Sequence, residues 1–378
     1  MARKLTSDKL LFTATLLLVC TGVVMVYSAS AVMAMERIGS SEFFVSKQVA
    51  WAVMGLAILP IVMRLDYRTY RQPVVIWTLL GLVLAALFAV LLVGTRVNGA
   101  TRWLDLGFLG IQPSEFAKMA VIVYMAALLE RRMDRIDELG YALLPIGLVL
   151  GAVVGLVLLQ PDLGTAACIA VIAAAMVFSA GISYRYVGAL SIAAAVAGTA
   201  LVVTSEYRFR RVQAFMDPWA DPLGNGWQMI QSMIAVGTGG VFGRGLMAGV
   251  QKLFYLPEPH NDFIYSVIGE ELGLLGTTLV LACFCVIAWR GFRAAVRAPD
   301  RFGALLAIGL TTMVVFQAFF NISVVLGLLP PKGIPLPLVS AGGSSLLINL
   351  VGIGILLNIS QHASSSHVVT TVMPAADA

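Results

Sequence analysis

The chain has 378 residues, of which 59% are apolar and only 12% charged, and its mean hydropathy is +0.91. Soluble domains carry charge on about a quarter of their residues, so these figures exclude one and leave a polytopic membrane protein. The net charge of +5 would suggest anionic partners in a soluble protein, but here the placement of the basic residues says more than their sum.

Runs long enough to span about 30 Å of hydrocarbon are predicted at about 10–30, 46–63, 74–94, 114–129, 141–159, 163–181, 186–204, 262–289, 303–327 and 342–360. This is an all-α fold: one transmembrane domain of ten helices over 1–361, a long loop at about 205–261 between spans seven and eight, and a flexible tail over 362–378. The first run follows Arg3, Lys4 and Lys9 and is too long for a cleaved signal peptide. An even number of spans puts both termini on one side. With the N-terminus inside, fourteen Lys and Arg fall in cytoplasmic segments and five in the short outer loops, so both termini are expected in the cytoplasm and the long loop outside. Cys20, Cys168, Cys283 and Cys285 lie in apolar runs, with neither disulfide nor zinc spacing.

Polar residues punctuate this pattern at a few places. Asn98-Gly99 gives a turn signal before Arg102 and Trp103, where Trp103 suits an interfacial anchor. Gln112-Pro113-Ser114-Glu115 opens the fourth span with Glu115 at the positive end of the helix dipole. Lys118 sits three residues on, and either pairs with Glu115 or faces Glu270 or a substrate across a cavity. In Gln160-Pro161-Asp162, Asp162 is expected to cap the sixth span.

The long loop carries Arg208, Arg210, Arg211, Arg244 and Lys252, which either hold a phosphate-bearing substrate or contact lipid headgroups. Within it, 226–236 has Trp227, Ile230 and Ile234 on one side and Gln228, Gln231 and Ser232 on another, as in a helix lying in the interface plane.

The stretch 256–273, LPEPHNDFIYSVIGEELG, sets His260, Asp262, Glu270 and Glu271 against an otherwise apolar run. Ionisable groups at membrane depth cost roughly 3 kcal/mol each on insertion scales, so they usually face a wet cavity or a partner. A helix starting near Pro259 would put Asp262 in its first turn, as a cap or as a reactive carboxylate, with Ser266 and Glu270 on the same face and Glu271 on the opposite one. Last, Lys332 follows a proline pair, and Ser340 to Ser345 opens the tenth span, where glycine-rich amides suit a pyrophosphate. No P-loop, dinucleotide fingerprint, H-E-x-x-H or Cys/His cluster is present, so nucleotide-driven transport, zinc peptidase chemistry and nucleic-acid binding have no support.

Taken in order, NGATRWLDLGFLGIQPSEFAK, QPDLGTA, the loop from Tyr207-Arg208 through Arg211 and Pro218 to Gly226-Trp227-Gln228, LPEPHNDFIYSVIGEELG and PPKGIPLPLVSAGGSS resemble the motifs of the SEDS family (shape, elongation, division and sporulation). The resemblance runs from the first span to about Gln361. It implies a ten-span polymerase that joins lipid II units into a growing glycan strand outside the bacterial cytoplasmic membrane. The implied partners are a class B penicillin-binding protein, which is a transpeptidase, and other divisome membrane proteins. Lys332-Gly333 after the prolines is closer to division members than to elongation members. The aspartate of the family's H-T-D-F motif, taken as essential for polymerisation, falls on Asp262, with Asn261 where threonine is usual. The family's outer tryptophan falls on Trp103 and its buried glutamate on Glu270. Ala341 stands where a tyrosine often precedes GGSS, and Gly110 where some division members carry an arginine discussed for lipid II transport, so that role is not carried over.

The expected mechanism makes Asp262 the general base on a sugar hydroxyl. Trp103, Lys118, Arg211, Glu270, Lys332, Gly342, Gly343 and Ser344 are the expected substrate contacts. Cations, or a divalent metal such as Mg2+ or Mn2+, are expected beside Lys332, Arg211 and the Gly342-Gly343 helix start to meet the leaving pyrophosphate. The rival readings are a lipid II flippase that makes no bond, a structural scaffold for division proteins, and an elongation polymerase.

Overall fold

A computed structural model describes residues 7–97, 100–107 and 109–372. Helices α1 (Lys9–Ile38), α2 (Phe43–Arg64), α3 (Pro73–Val93), α4 (Pro113–Arg132), α5 (Leu144–Leu159), α6 (Leu163–Ser179) and α7 (Tyr184–Val203) are followed by two shorter ones, α8 (Glu206–Met216) and α9 (Trp227–Thr238). Then come α10 (Ile264–Val296), α11 (Arg301–Val325) and α12 (Gly343–Val372). The chain is an all-α multi-pass membrane protein. Among the described residues, seven helices are long and apolar enough to cross a bilayer, and α6 is a shorter apolar one.

Burial sorts the helices. The apolar windows of α11 and α12 are 72% and 78% buried, against 22% to 44% in the other five long helices, so these two form the centre and the others the lipid-facing ring. Helix α4 joins the centre because its small residues, Ala117, Ala120, Ala126 and Ala127, let neighbours approach closely. Helix α3 turns Val74, Trp77, Leu82, Phe88 and Leu92 outward, where lipid rather than protein covers them.

Caps fix several ends, one of them, at Asp162, as the sequence suggests. The Asp162 side chain accepts from Thr165 N at the start of α6, Asp8 does the same for α1 from Leu11 N, and Gly39 closes α1 in a left-handed conformation at φ 81°.

Four features depart from the sequence reading. Between α3 and α4 the described residues form a small antiparallel meander, β1 (Thr95–Val97), β2 (Ala100–Leu106) and β3 (Leu109–Ile111), with Thr95 opposite Trp103 and Leu104 opposite Ile111. The Asn98-Gly99 turn signal lies outside the described residues. Helix α12 continues past residue 361 to Val372, where a flexible tail is expected, while 373–378 lie outside the described residues.

Helix α9 forms where expected but does not lie flat with its polar side outward. Gln231 and Ser232 are buried, and the Ser232 hydroxyl bonds Ser266 Oγ at 2.7 Å and donates to Val325 O at 2.8 Å. A small polar residue lets α9 pack closely on α10 and satisfies its own hydroxyl there.

Finally, α10 is broken at Gly273, whose φ of 65° and ψ of −160° are not helical. The break is filled by the preceding loop. Arg244 N and Gly245 N donate to Glu270 O and Glu271 O, while Leu274 N and Leu275 N donate to Gly240 O and Val241 O. Both exposed ends of the interrupted helix are thereby satisfied.

Candidate active site

Asp262 does not sit in the first turn of a helix. The two prolines at 257 and 259 disfavour helical backbone before them, Glu258 is held at φ 49°, and α10 starts two residues after Asp262, with Phe263 as its cap. Three successive carbonyls that would seed a helix are instead taken by distant donors. Ala341 N donates to His260 O at 2.9 Å, Ser340 Oγ to Asn261 O at 2.6 Å, and Asn321 Nδ2 to Asp262 O at 2.7 Å. Asn321 Nδ2 also donates to Ile334 O at 2.8 Å, so one α11 amide ties the Asp262 segment to the proline-rich loop 330–337. Ring packing of His260 on Phe44 and a Gln48 Nε2 bond to Ser340 O fix both segments to α2.

The partly buried Asp262 carboxylate lies against Gly333, where a Cβ on residue 333 would come within 2.8 Å of Oδ2. A side chain there would displace it, which is a physical reason for glycine after Lys332. Burial, then the Glu258 carboxylate, pushes the Asp262 acid up to about 7, while Arg211 and Arg102 pull the other way.

The same basin holds Lys332, also partly buried, which burial and then Arg208 bring down to about 8, with Asp162 opposing. Arg211 reaches over from α8 and donates to Pro331 O at 3.2 Å. Arg102, on β2, donates to Gln160 O at 3.3 Å and Pro161 O at 2.5 Å. A carboxylate with raised proton affinity, ringed by cations from separate segments, can take a proton from an alcohol beside a site that accepts developing negative charge.

The remaining expected contacts divide. Arg211 and Lys332 join Asp262 in this basin. Trp103 is half-buried in the middle of the meander, where it packs over Gly110 and stands next to Arg102 in sequence. Gly342 and Gly343 follow directly on the Ala341–His260 bond, and the Trp51 indole rests on Gly343. Ser344 is fully buried and points to the base of the meander, accepting from Gln112 N at 3.0 Å and donating to Gly110 O at 3.3 Å, so the structure gives it a bracing position.

Two expected contacts lie elsewhere. Lys118 is fully buried and donates to both Glu115 oxygens at 2.8 and 2.9 Å, the self-neutralising arrangement of the two considered. Glu270, also fully buried, accepts from Val250 N, Gln251 N and the Arg244 guanidinium. It is bound by the loop that plugs the α10 break and does not face Asp262. Glu271, far from pointing to the opposite side, grips the same loop: it accepts from Met247 N, from Lys252 Nζ at 2.6 Å and from Ser28 Oγ. Arg244 and Lys252 thus serve as counter-ions to this acidic pair.

Sequence reading missed Arg102, Asn321 and Glu258 as parts of the site. Arg102 carried a weak signal as the cation beside the turn before Trp103. Asn321 carried none beyond being an amide in an apolar helix.

Among the described residues no three His, Cys, Asp or Glu side chains converge as a metal cage. Asp262 could supply one carboxylate to a divalent ion that otherwise rests on the phosphate oxygens of a substrate, the way Mg2+ is commonly held.

Known proteins resemble this chain over most of its length. Residues 8–365 match the FtsW/RodA/SpoVE family, described as "Cell cycle protein". The chain is 44% identical over 348 residues to the "Probable peptidoglycan glycosyltransferase FtsW" of Geobacter sulfurreducens, covering 91% of this chain and 92% of that one. It is 41% identical over 366 residues to "Stage V sporulation protein E" of Bacillus subtilis, covering 96% and 99%. Among solved structures it is similar to a chain from a peptidoglycan synthase complex that coordinates polymerization and crosslinking, with TM-score 0.78, 33% identity, and coverage of 95% and 99%. It is also similar to the rod shape determining protein RodA of Thermus thermophilus, with TM-score 0.70, 29% identity, and coverage of 94% and 97%.

Proposed function

The chain belongs to the FtsW/RodA/SpoVE family of cell cycle proteins, and on that premise we propose that it is a peptidoglycan glycosyltransferase whose reaction is centred on Asp262. It polymerises lipid II into glycan strands at the outer face of the cytoplasmic membrane, for septal wall synthesis in cell division. The observation that carries the site assignment is the place of the carboxylate, lying against Gly333 next to Lys332 in the loop that Arg211 grips at Pro331 O, with Arg211 and Arg102 acting on its charge.

Asp262 takes the proton from the 4-hydroxyl of one N-acetylglucosamine as its oxygen bonds to the anomeric carbon of the other chain's N-acetylmuramic acid. The bond from that carbon to undecaprenyl pyrophosphate breaks, and the pyrophosphate carries away the electron pair. A base of pKa about 7 is better matched to neutral pH than an ordinary carboxylate, and such a base contributes about 10² to 10⁴-fold. Arg211, Arg102 and Lys332 neutralise the leaving group, and a divalent ion held by Asp262 and the pyrophosphate oxygens would add to that neutralisation. Positioning of two lipid-tethered sugars supplies the larger share of the rate.

In this reading ten helices, α1 to α7 and α10 to α12, cross the membrane with both termini in the cytoplasm, and α8 and α9 lie outside. The partner is a class B penicillin-binding protein that crosslinks the new strands, as the synthase-complex neighbour suggests, together with other divisome membrane proteins. The transport reading needs charge distributed through the bundle. Glu115 and Lys118, charged residues at depth, neutralise each other and so favour bond formation over transport.

The test is polymerisation of labelled lipid II by purified protein in detergent. Asp262→Ala, folded as judged by gel filtration, should yield no glycan strands. Strands from the Asp262→Ala protein would overturn the assignment.

A further inference from the structure

At the end of the bundle opposite Asp262 lies a cavity of about 650 Å³, lined by Asp8 and Lys9 at the start of α1, by Arg290, Arg293 and Arg297 on the last turns of α10, and by Ser360 of α12. Its volume is in the range of sites that hold small ligands. The three arginines are spaced by three and four residues, so they share one face of α10 and converge on the same space.

Several arginines at this end are matched to carboxylates, Arg68 to Asp300, Arg71 to Glu130 and Arg301 to Asp134, while, among the described residues, others such as Arg131 stand singly on the surface. In the cavity, four cations meet one carboxylate, Asp8, which pairs with Arg290 at 2.5 Å and also caps α1. Among the described residues Arg293, Arg297 and Lys9 have no carboxylate within ion-pair distance. A concave surface with that excess of guanidinium groups is complementary to phosphate, which arginine engages through two parallel N–H donors.

The surroundings add a second feature. Trp289, Phe292 and Val296 on α10 and Leu10 on α1 are exposed on the flank of the same turns. An aromatic side chain at the last helical turns marks the water–lipid boundary, so the cavity opens at headgroup level with an apolar rim beneath it. Basic pockets between transmembrane helices at a membrane surface are built to take phosphate headgroups.

We propose that this cavity is a second binding site, distinct from the Asp262 basin, for a phosphate-bearing anion, engaged by Arg293, Arg297 and Lys9.

The probe is phosphatidylglycerol. Full-length protein in nanodiscs of phosphatidylcholine containing a minor fraction of phosphatidylglycerol is released and its retained lipids are counted by native mass spectrometry. Wild type should retain phosphatidylglycerol over phosphatidylcholine. The double variant R293Q/R297Q should lose about thirtyfold in that preference, as expected for two near-surface cations acting on one anionic headgroup. R293K/R297K should retain most of it, and R131Q, which removes an exposed arginine from α4 instead, should leave it unchanged.

Equal retention of phosphatidylglycerol and equal binding of inorganic phosphate by wild type and R293Q/R297Q proteins of unchanged thermal midpoint would overturn the proposal, as would an equal loss in R131Q, which would make the effect one of diffuse surface charge. A parallel arm measures inorganic phosphate binding in neutral detergent. If phosphate binds wild type but not R293Q/R297Q and phosphatidylglycerol shows no preference, the phosphate chemistry stands and its source is a soluble anion.

Discussion

The raised proton affinity of Asp262 sets a measurable pH dependence. In the proposed reaction Asp262 must be ionised to act. With a folded value of about 7, roughly a tenth of the protein carries the active carboxylate at pH 6 and roughly nine tenths at pH 8, so Asp262 alone would raise kcat/KM for lipid II polymerisation about tenfold across that interval, and the loss of half the Lys332 charge by pH 8 cuts the rise to about fivefold. An ordinary carboxylate titrating near 4 would give no change there.

The causes of the shift allow a sharper test. After burial, the nearby Glu258 carboxylate is the main influence raising Asp262. Glu258→Gln removes that like charge, Asp262 then ionises at lower pH, and the acid limb should move toward lower pH. Arg211→Gln removes a stabilising cation and should move the limb the opposite way. Lys332, lowered to about 8, serves the leaving group in its charged form, so a second, falling limb is expected near that pH and should disappear in Lys332→Met. Initial rates with labelled lipid II over roughly pH 5 to 9 measure all of this. An acid limb below about pH 5, or one that stays in place when Glu258 is neutralised, would refute the assignment of Asp262 as the titrating base.

Three substitutions probe the scaffold. Gly333→Ala places a Cβ at 2.8 Å from Asp262 Oδ2; displacing the carboxylate should lower kcat about a hundredfold with an unchanged thermal midpoint. Glu271→Leu strands the buried Lys252 ammonium without its counter-ion and should cost about 3–5 kcal/mol in denaturant unfolding, while Glu271→Leu with Lys252→Met should recover much of that loss. Gly273→Ala, at φ 65° with its Cβ 2.6 Å from Val241 O, should lower stability by about 1–3 kcal/mol and expose the 240–252 loop to protease.

The positions of the helices were legible because hydrophobic run length is set by bilayer thickness, and helices lie on every predicted run. The Asp262 stretch was legible for a related reason: charge next to an apolar run is expensive and stands out. What the residues make of that charge was not legible. Glu270 and Asp262 looked equivalent along the chain, yet one is clasped by backbone amides from Val250 and Gln251 and the other opens on a cationic basin. The deciding partners are loop amides, and an amide is present at almost every position, so no residue type announces it. The same holds for Asn321, whose two bonds reach segments 59 and 13 residues away. The break at Gly273 was hidden because glycine inside a transmembrane helix is ordinary; only the approach of Val241 and Gly243 requires it there.

These misread residues explain how a lone carboxylate is held in place. The first segment of α10, from Ile264 to the break at Gly273, is only a few turns long, too short to be stable in isolation. Its leading end is fixed by the Asn321, Ser340 and Ala341 bonds to residues 260–262. Its trailing end is fixed by Glu270 and Glu271 gripping the plug loop, which Lys252 and Ser28 anchor to α1. In mid-segment Ser266 is tied to α9 through Ser232. The acidic pair in GEELG therefore holds the mount of Asp262, and its oxygens are taken up by the plug loop. Weakening it should reduce kcat through the position of Asp262, and the acid limb of the pH profile should move toward lower pH only as far as the carboxylate loses burial, the largest cause of its raised value, because Glu258, Arg211 and Arg102 do not touch the clamp.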